Sequence, residues 1–181
     1  HRVHGVDFAY GILTNISHEH MHYHGSFEHY VKAKAKLLNM SQTAIINSDD
    51  TSYEQVRSAI TSHVFKTYGR EKGDYYLDIE KKVGKKLEEF NVYNYLAIYA
   101  CGKEIGLTDE EMFTAMKTFT MPEGRMEVVY NKDVTVIVDF AHTPNALHEA
   151  LGSIRTKYRK RRIIHIFGAA AFRDDEKRPF M

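Results

Sequence analysis

Apolar and polar positions change their spacing several times along the chain, and the changes lay out a mixed α/β protein. Asp7 to Ile16 reads as a strand running into a loop. Phe27, Tyr30, Val31 and Leu38 then recur at helical spacing behind Ser26, a good N-cap, which predicts a helix from Ser26 to Asn39. Thr43 to Asn47 is a short apolar strand closed by the turn residues Ser48, Asp49 and Asp50. Tyr53 to Ile60 fits a helix, whereas Arg70 to Lys86 is charged and resolves to no element. Asn91 to Gly102 is apolar on most faces, as a buried helix is. Thr108-Asp109-Glu110-Glu111 forms a capping box opening an amphipathic helix through Phe119, with Met112, Phe113, Met116 and Phe119 as its core face.

The character changes at Met121-Pro122-Glu123-Gly124, which predicts a boundary between a first domain over 1–121 and a second over 122–181. Met126 to Tyr130 and Val134 to Asp139 are two strands around the turn Asn131-Lys132-Asp133. Thr143 caps a helix with Pro144 at its first position and Leu147, Ala150, Leu151 and Ile154 facing inward. Arg162 to Phe167 is expected to be a further strand ending at Gly168. Strand, helix and strand with short links make a βαβ unit, and parallel sheets bind ligands beyond the carboxyl ends of their strands, where Asp139 and Gly168 fall.

The 181 residues carry 25 Lys and Arg against 24 Asp and Glu, a formal net charge of +1, so no overall electrostatic footprint for nucleic acid exists and no long basic block marks a membrane surface. The run Lys157-Tyr158-Arg159-Lys160-Arg161-Arg162 is the local exception. It is read as the solvated end of a helix, favourable at the negative end of the helix dipole, in preference to a phosphate site. Cys101 is the only cysteine, which leaves no disulfide framework and no cysteine-based zinc site, fits a reducing cytoplasmic setting, and makes Cys101 a small core residue. No stretch approaches the roughly 20 consecutive apolar residues that membrane insertion requires. The chain opens at His1 and stops at Met181, and both ends read as cuts through a longer protein.

Candidate chemistry concentrates early. Five of the eleven histidines fall between positions 18 and 29, and neutral imidazoles at this density could hold a divalent cation or a phosphate-bearing substrate. Lys34 lies three residues after Val31, four after Tyr30 and four before Leu38, so it falls on the apolar stripe, while Lys32 and Lys36 project to the opposite face. An inward-facing lysine loses hydration, which favours a neutral, nucleophilic amine. The alternative is snorkelling, with the stem covering apolar surface and the charge in water. His18-Glu19-x-x-His22 matches the H-E-x-x-H zinc pattern, but Gly25 and the cap at Ser26 place a turn where that site needs continuous helix, and the extended match fails at Glu28. Neither G-x-x-x-x-G-K-[ST] nor G-x-G-x-x-G occurs, so the chain has no phosphate cradle of its own.

Seven segments appear in order: Thr14-Asn15-Ile16-Ser17-His18-Glu19-His20-Met21-His22-Tyr23-His24-Gly25, Tyr30-Val31-Lys32-Ala33-Lys34, Asn47-Ser48-Asp49-Asp50, Phe90-Asn91-Val92-Tyr93-Asn94, Gly124-Arg125-Met126-Glu127, Val138-Asp139-Phe140-Ala141-His142-Thr143-Pro144 and Arg173-Asp174-Asp175-Glu176-Lys177-Arg178-Pro179. Together they resemble the Mur ligases of peptidoglycan synthesis, in the branch that adds the third residue of the stem peptide. The resemblance implies an α/β fold comprising the later part of a central ATPase domain, followed by the first βαβ of a Rossmann-like carboxyl-terminal domain. It implies ATP-dependent phosphorylation of the carboxylate of a UDP-N-acetylmuramoyl-dipeptide and attack by a diamino acid on the acyl phosphate. The demands of such chemistry are charge neutralisation and alignment of two substrates.

By the same resemblance, His20 is a Mg2+ ligand, and Lys34 is a carbamylated lysine that helps hold a second Mg2+. Asn91 and Asn94 contact the adenine end of ATP, Arg125 approaches the phosphates, Asp139 binds the ribose hydroxyls, His142 lies near the nucleotide, and Arg173 contacts the incoming amino acid. His18 and His22 stand where the family usually has arginine and aspartate, and Ala170-Ala171-Phe172 replaces a glycine-rich turn. Because the family's phosphate loop is missing, the chain alone is expected not to turn over. A histidine-rich module that binds a divalent metal without catalysis is the alternative.

Overall fold

Four parallel strands, β1 (Phe8–Leu13), β2 (Ser41–Asn47), β3 (Val64–Gly69) and β4 (Tyr75–Tyr76), pair in sequence order in the computed structural model, which describes residues 5–16, 24–61, 64–168 and 175–181. Five helices accompany them: α1 (Phe27–Asn39), α2 (Tyr53–Ala59), α3 (Ile79–Val83), α4 (Glu89–Glu104) and α5 (Asp109–Thr118). The chain divides into two compact units, His1–Thr118 and Phe119–Met181. Alternation along β2 serves both faces of the first unit's sheet. Ala44 and Ile46 pack with Val31, Leu38 and Val56 of α1 and α2, while Ile45 packs with Tyr68, Leu96 and Ala100 on the α4 side.

Helix α1 begins as expected, with the Ser26 hydroxyl accepting from the His29 backbone N–H at 3.2 Å. Its buried residues are Tyr30, Val31, Ala35 and Leu38. Lys34 is exposed, contrary to the inward-facing expectation. Ala35 occupies the buried stripe, and the long stem carries the Lys34 ammonium outward to 5.3 Å from the Tyr30 ring centroid. The snorkelling alternative is the one the structure adopts.

The region that resolved to no element contains β4 and α3, and β3 precedes it unforeseen. The Asp74 carboxylate accepts from the Thr67 backbone N–H and hydroxyl, both at 2.8 Å, and so fixes the connection from β3 to β4. Helix α4 supplies most of one core through Val92, Tyr95, Leu96, Ala97 and Ala100. Cys101 is half-buried against that core, and burial pushes its thiol above the usual range.

The capping box at α5 forms in full. Glu111 accepts from the Thr108 N–H at 2.8 Å and hydroxyl at 2.7 Å, while the Glu111 N–H donates to Thr108 Oγ1 at 3.3 Å. Met112 and Met116 are buried, but Phe119 lies beyond the helix and is 48% exposed, so the core face ends at Met116. The Thr108 bonds hold the Glu111 carboxyl below its ordinary value of 4.5. A lowered folded-state value stabilises above the ordinary value and loses that contribution as pH falls through the lowered one. Melting curves of the wild type and Glu111→Gln are therefore expected to differ at neutral pH and to converge in acid; a difference that persists below the lowered value rejects this account.

In the second unit, β5 (Glu127–Asn131) and β6 (Thr135–Val138) form an antiparallel hairpin with an irregular register between Val128 and Tyr130. Helix α6 (Pro144–Lys157) starts at Thr143, whose hydroxyl accepts from the Ala146 N–H at 3.2 Å. Leu147 and Ala150 are buried and Leu151 and Ile154 half-buried. A 3-10 helix covers Asp175–Phe180. Arg162–Phe167 has strand-forming composition but no ladder partner among the described residues, so the closing strand of the expected βαβ is not formed there. A strand exists only through its neighbour's hydrogen bonds, and without one Ile164 and Ile166 stand 74% and 91% exposed.

Candidate functional site

Parallel strands end on one side of a sheet, and in the first unit that edge gathers polar groups from several segments. The buried Asn47 donates from Nδ2 to the Thr14 carbonyl at 3.2 Å and accepts at Oδ1 from the Asp49 N–H at 3.0 Å. Asp49 in turn accepts from the Arg70 N–H at 2.8 Å and from the Tyr93 hydroxyl at 3.5 Å. The ends of β1, β2 and β3 are thus tied to one another and to α4. A shallow pocket lies at this edge, lined by Leu13, Thr14, Asn15, Asn47, Asp50 and Tyr53 among others.

Tyr93 sits between Asn91 and Asn94 on α4. Burial, and then the Asp49 carboxylate, push its hydroxyl above the usual range, so it stays a neutral donor. Tyr68, with its hydroxyl aimed at the Leu13 and Thr14 carbonyls, is raised by burial and then by Asp50. Asn91 is buried, donating to Glu88 Oε2 at 3.1 Å and accepting from Asn94 Nδ2 at 3.4 Å. Asn94 is exposed, so the pair presents one amide to solvent from a fixed base. On α1, the Tyr30 ring stacks on His24 at 4.7 Å and lies near the Lys34 ammonium. Asn47, Asp49 and Tyr93 were read only as turn or motif residues; their partners are distant in sequence, and only the short-range Asn-x-Asp spacing hinted at them.

In the second unit, Arg125 and His142 lie around one exposed aromatic ring, that of Phe140, which follows Asp139 in the chain. Arg125 Cζ is 4.6 Å from the Phe140 centroid, the His142 ring meets Phe140 edge-on at 5.0 Å, and His142 Nδ1 is 2.9 Å from the Phe140 carbonyl oxygen. Asp139 is half-buried, and its two oxygens accept from the Met126 and Ala141 backbone N–H groups, each at 2.8 Å. The bond to Ala141 is an Asx turn legible in Asp-x-Ala, whereas the bond to Met126 spans two segments and was missed, as was Phe140. Met126 itself adopts φ 50, a left-handed conformation rare outside glycine. His20, Arg173, His18 and His22 lie outside the described residues. Among the described residues, no group of three or more His, Cys, Asp or Glu side chains could hold a metal ion.

Residues 1–95 match the Mur ligase middle domain, and residues 124–181 match the Mur ligase, glutamate ligase domain. With the parallel sheet and its flanking helices, the two in tandem define the class as α/β ligase domains. The chain belongs to the Mur ligase family. It is 36% identical over 201 residues to the UDP-N-acetylmuramoyl-L-alanyl-D-glutamate–2,6-diaminopimelate ligase of Aquifex aeolicus, an alignment covering 100% of this chain and 41% of that protein. A solved structure of a ligase of the same name superposes with a TM-score of 0.64 at 26% identity, covering 99% of this chain and 42% of the other. The fold is also that of the MurF ligase of Thermotoga maritima, solved in complex with ADP, with a TM-score of 0.59 at 16% identity over 84% of this chain and 40% of that one. The chain therefore spans about two fifths of the length of these relatives. Among the described residues, no helix is long and apolar enough to cross a membrane.

Proposed function

We propose that this chain is the ATP- and amino-acid-handling part of a ligase that joins 2,6-diaminopimelate to UDP-N-acetylmuramoyl-L-alanyl-D-glutamate. The observation that carries the reading is the match to the Aquifex aeolicus ligase of that name, which takes in the whole of this chain and so both units in order, and 41% of that protein. In the reaction, the γ-phosphoryl group of ATP passes to the dipeptide carboxylate, releasing ADP. The diaminopimelate amine then attacks the acyl carbon, phosphate leaves, and the amine proton is lost as the amide forms. ATP as substrate places this reaction in the cytoplasm.

The residues suit distinct parts of that task. The exposed Asn94 amide offers both a donor and an acceptor to the adenine edge, and the buried Asn91 fixes it from behind. Arg125, steadied over Phe140, presents a guanidinium to the phosphates, and His142 flanks the same ring. Asp139 keeps lone pairs for the ribose hydroxyls beyond the two that its backbone partners occupy. Arg173 is assigned to the incoming amino acid by resemblance. Mg2+ neutralises phosphate charge when bound, and this reading assigns it to His20 and to Lys34 as its carbamate. The carbamate of Lys34 rests on resemblance alone, because the exposed side chain lacks the desolvation expected of an inward-facing amine. The described residues contain no complete donor set for Mg2+.

The test is a chimera in which this chain replaces the matching segment of the Aquifex aeolicus ligase. ADP release dependent on both the dipeptide and diaminopimelate is expected, and Lys34→Ala is expected to lower kcat by about 100-fold or more, the scale of losing one electrostatic contact to the transferring group. A folded chimera that shows no amino-acid-dependent ADP release sinks the reading. Phosphate release by the 181-residue chain alone is expected to be absent, because it contains no phosphate loop.

A further inference from the structure

Asn91 and Asn94 are assigned to the adenine edge, yet the side-chain bonds that order them stay within one helical segment. Asn94 donates to Asn91 and Asn91 to Glu88, the N-cap of α4, so the three move as one body with that helix. Where the exposed Asn94 amide stands above the sheet is therefore set by how α4 is seated. Val92, Tyr95, Leu96 and Ala100 press the helix into the core, but apolar contacts are non-directional and permit a slide or a roll. Hydrogen bonds, which have preferred distances and angles, fix what packing leaves loose.

Among the described residues, two polar contacts run from this turn to the sheet end. The Tyr93 hydroxyl donates to Asp49 Oδ2 at 3.5 Å, and Arg70 Nη1 lies 3.8 Å from Glu89 Oε1. The ion pair is exposed on both sides and contributes little. The phenol, in contrast, is half-buried and meets a fixed acceptor. Asp49 Oδ2 also accepts from the Arg70 N–H just after β3, and the Asp49 N–H donates to Asn47 Oδ1 on β2. The other end of α4 is tied separately, with the Glu104 carbonyl accepting from Tyr10 at 2.8 Å and the Glu104 carboxylate from Tyr75. Glu104 is about 16 Å further along the helix axis than Tyr93, at 1.5 Å per residue.

We propose that Tyr93 is a positioning residue for the nucleotide: its bond to Asp49 locks the first turn of α4 to the strand ends and so sets the stance of the Asn91–Asn94 pair toward adenine. The role rests on the assignment of Asn94 to adenine in the ligase reading. Tyr93 itself touches no substrate, and it acts on affinity for ATP through its neighbour.

The experiment compares Tyr93→Phe with Tyr75→Phe, each of which removes one phenol hydroxyl from a tie of α4. In the 181-residue chain, the side-chain amide resonances of Asn94 are expected to shift and broaden in Tyr93→Phe and to stay in place in Tyr75→Phe. In the chimera with the Aquifex aeolicus ligase, Tyr93→Phe is expected to raise the KM for ATP about 5-fold, the scale of one hydrogen bond, with kcat within about 2-fold of the parent. Tyr75→Phe loses a bond to a carboxylate and is expected to lower the melting temperature at least as far, while leaving the KM for ATP unchanged. A purely structural role for Tyr93 would not separate the two variants in this way. Asn94 resonances unmoved by Tyr93→Phe, an unchanged KM for ATP, or an equal rise in Tyr75→Phe would overturn the proposal. If the unsubstituted chimera releases no ADP in response to diaminopimelate, the ligase reading falls, and the Asn94 resonances still decide whether Tyr93 positions the pair.

Discussion

Replacing Asp139 with alanine is expected to lower the stability of the second unit by about 3 kcal/mol, because two charge-assisted bonds to backbone amides, each contributing about 1.5–3 kcal/mol, are lost at a half-buried site. The effect is larger than a surface carboxylate would give, since Met126 at φ 50 depends on the bond to its N–H to stay in a conformation that its side chain disfavours. Asp139→Asn keeps one acceptor oxygen and is expected to show about half the loss. Urea denaturation, with hydrogen exchange at Met126 and Ala141, measures both. Unchanged protection of those two amides in Asp139→Ala would show that the carboxylate is not the latch. The two variants also separate roles, because a residue that only touched ribose would alter nucleotide affinity and leave urea stability alone.

Gly69→Ala is the second large effect, expected to destabilise the first unit by about 3 kcal/mol, at the upper end of overpacking costs. An added Cβ would lie 2.6 Å from the Lys72 carbonyl oxygen, 2.6 Å from Ser48 Oγ and 2.8 Å from Asp49 Oδ2. The carbonyl cannot rotate away, and moving the other two disturbs the Ser48 bonds to the Tyr68 and Lys72 carbonyls and the Asp49 bond to the Arg70 N–H. Gly152→Ala in α6 provides a control of opposite sign. Nothing lies within 4 Å of its added Cβ, and helix interiors favour Ala over Gly by roughly 0.5–1 kcal/mol. Chemical denaturation midpoints compare the pair, and a Gly69→Ala protein as stable as wild type would mean that the strand-end turn yields easily.

What could be read from the residues was mostly what short-range chemistry decides. Ser26, Thr108 with Glu111, and Thr143 with Pro144 each announce a helix start through side chains within three positions, and all three starts are where they were expected. The turn between β5 and β6 is similarly local. What escaped depends on partners. Val64–Gly69 is a strand because β2 lies beside it, and Lys66 in its middle hides the pattern. Arg162–Phe167 has the opposite fault, a strand-like sequence with no ladder. Lys34 and Ala35 differ by one helical step, and spacing alone could not decide which seats against the sheet; the lone methyl of Ala35 packs and the long lysine leaves. At the site, Asn91, Asn94, Arg125 and His142 were assigned by resemblance alone, and Asp139 also by its place at a strand end. Of the contacts around them, Glu88 to Asn91 and Phe140 to His142 lie within three positions, whereas Asp49 to Tyr93, Arg125 to Phe140 and Asp139 to the Met126 amide are tertiary and left no mark on any short window.

The succession of β1, β2, β3 and β4 across the sheet matches their succession along the chain. A nascent polypeptide leaving the ribosome can therefore lay each strand against one already in place, and no early strand must wait for a late one to be threaded beside it. One surface lags behind. Ile45 and Tyr68 stay uncovered until Glu89–Glu104 has been synthesised, so the interval between the translation of Gly69 and that of Glu104 is when this polypeptide most needs shielding from its neighbours.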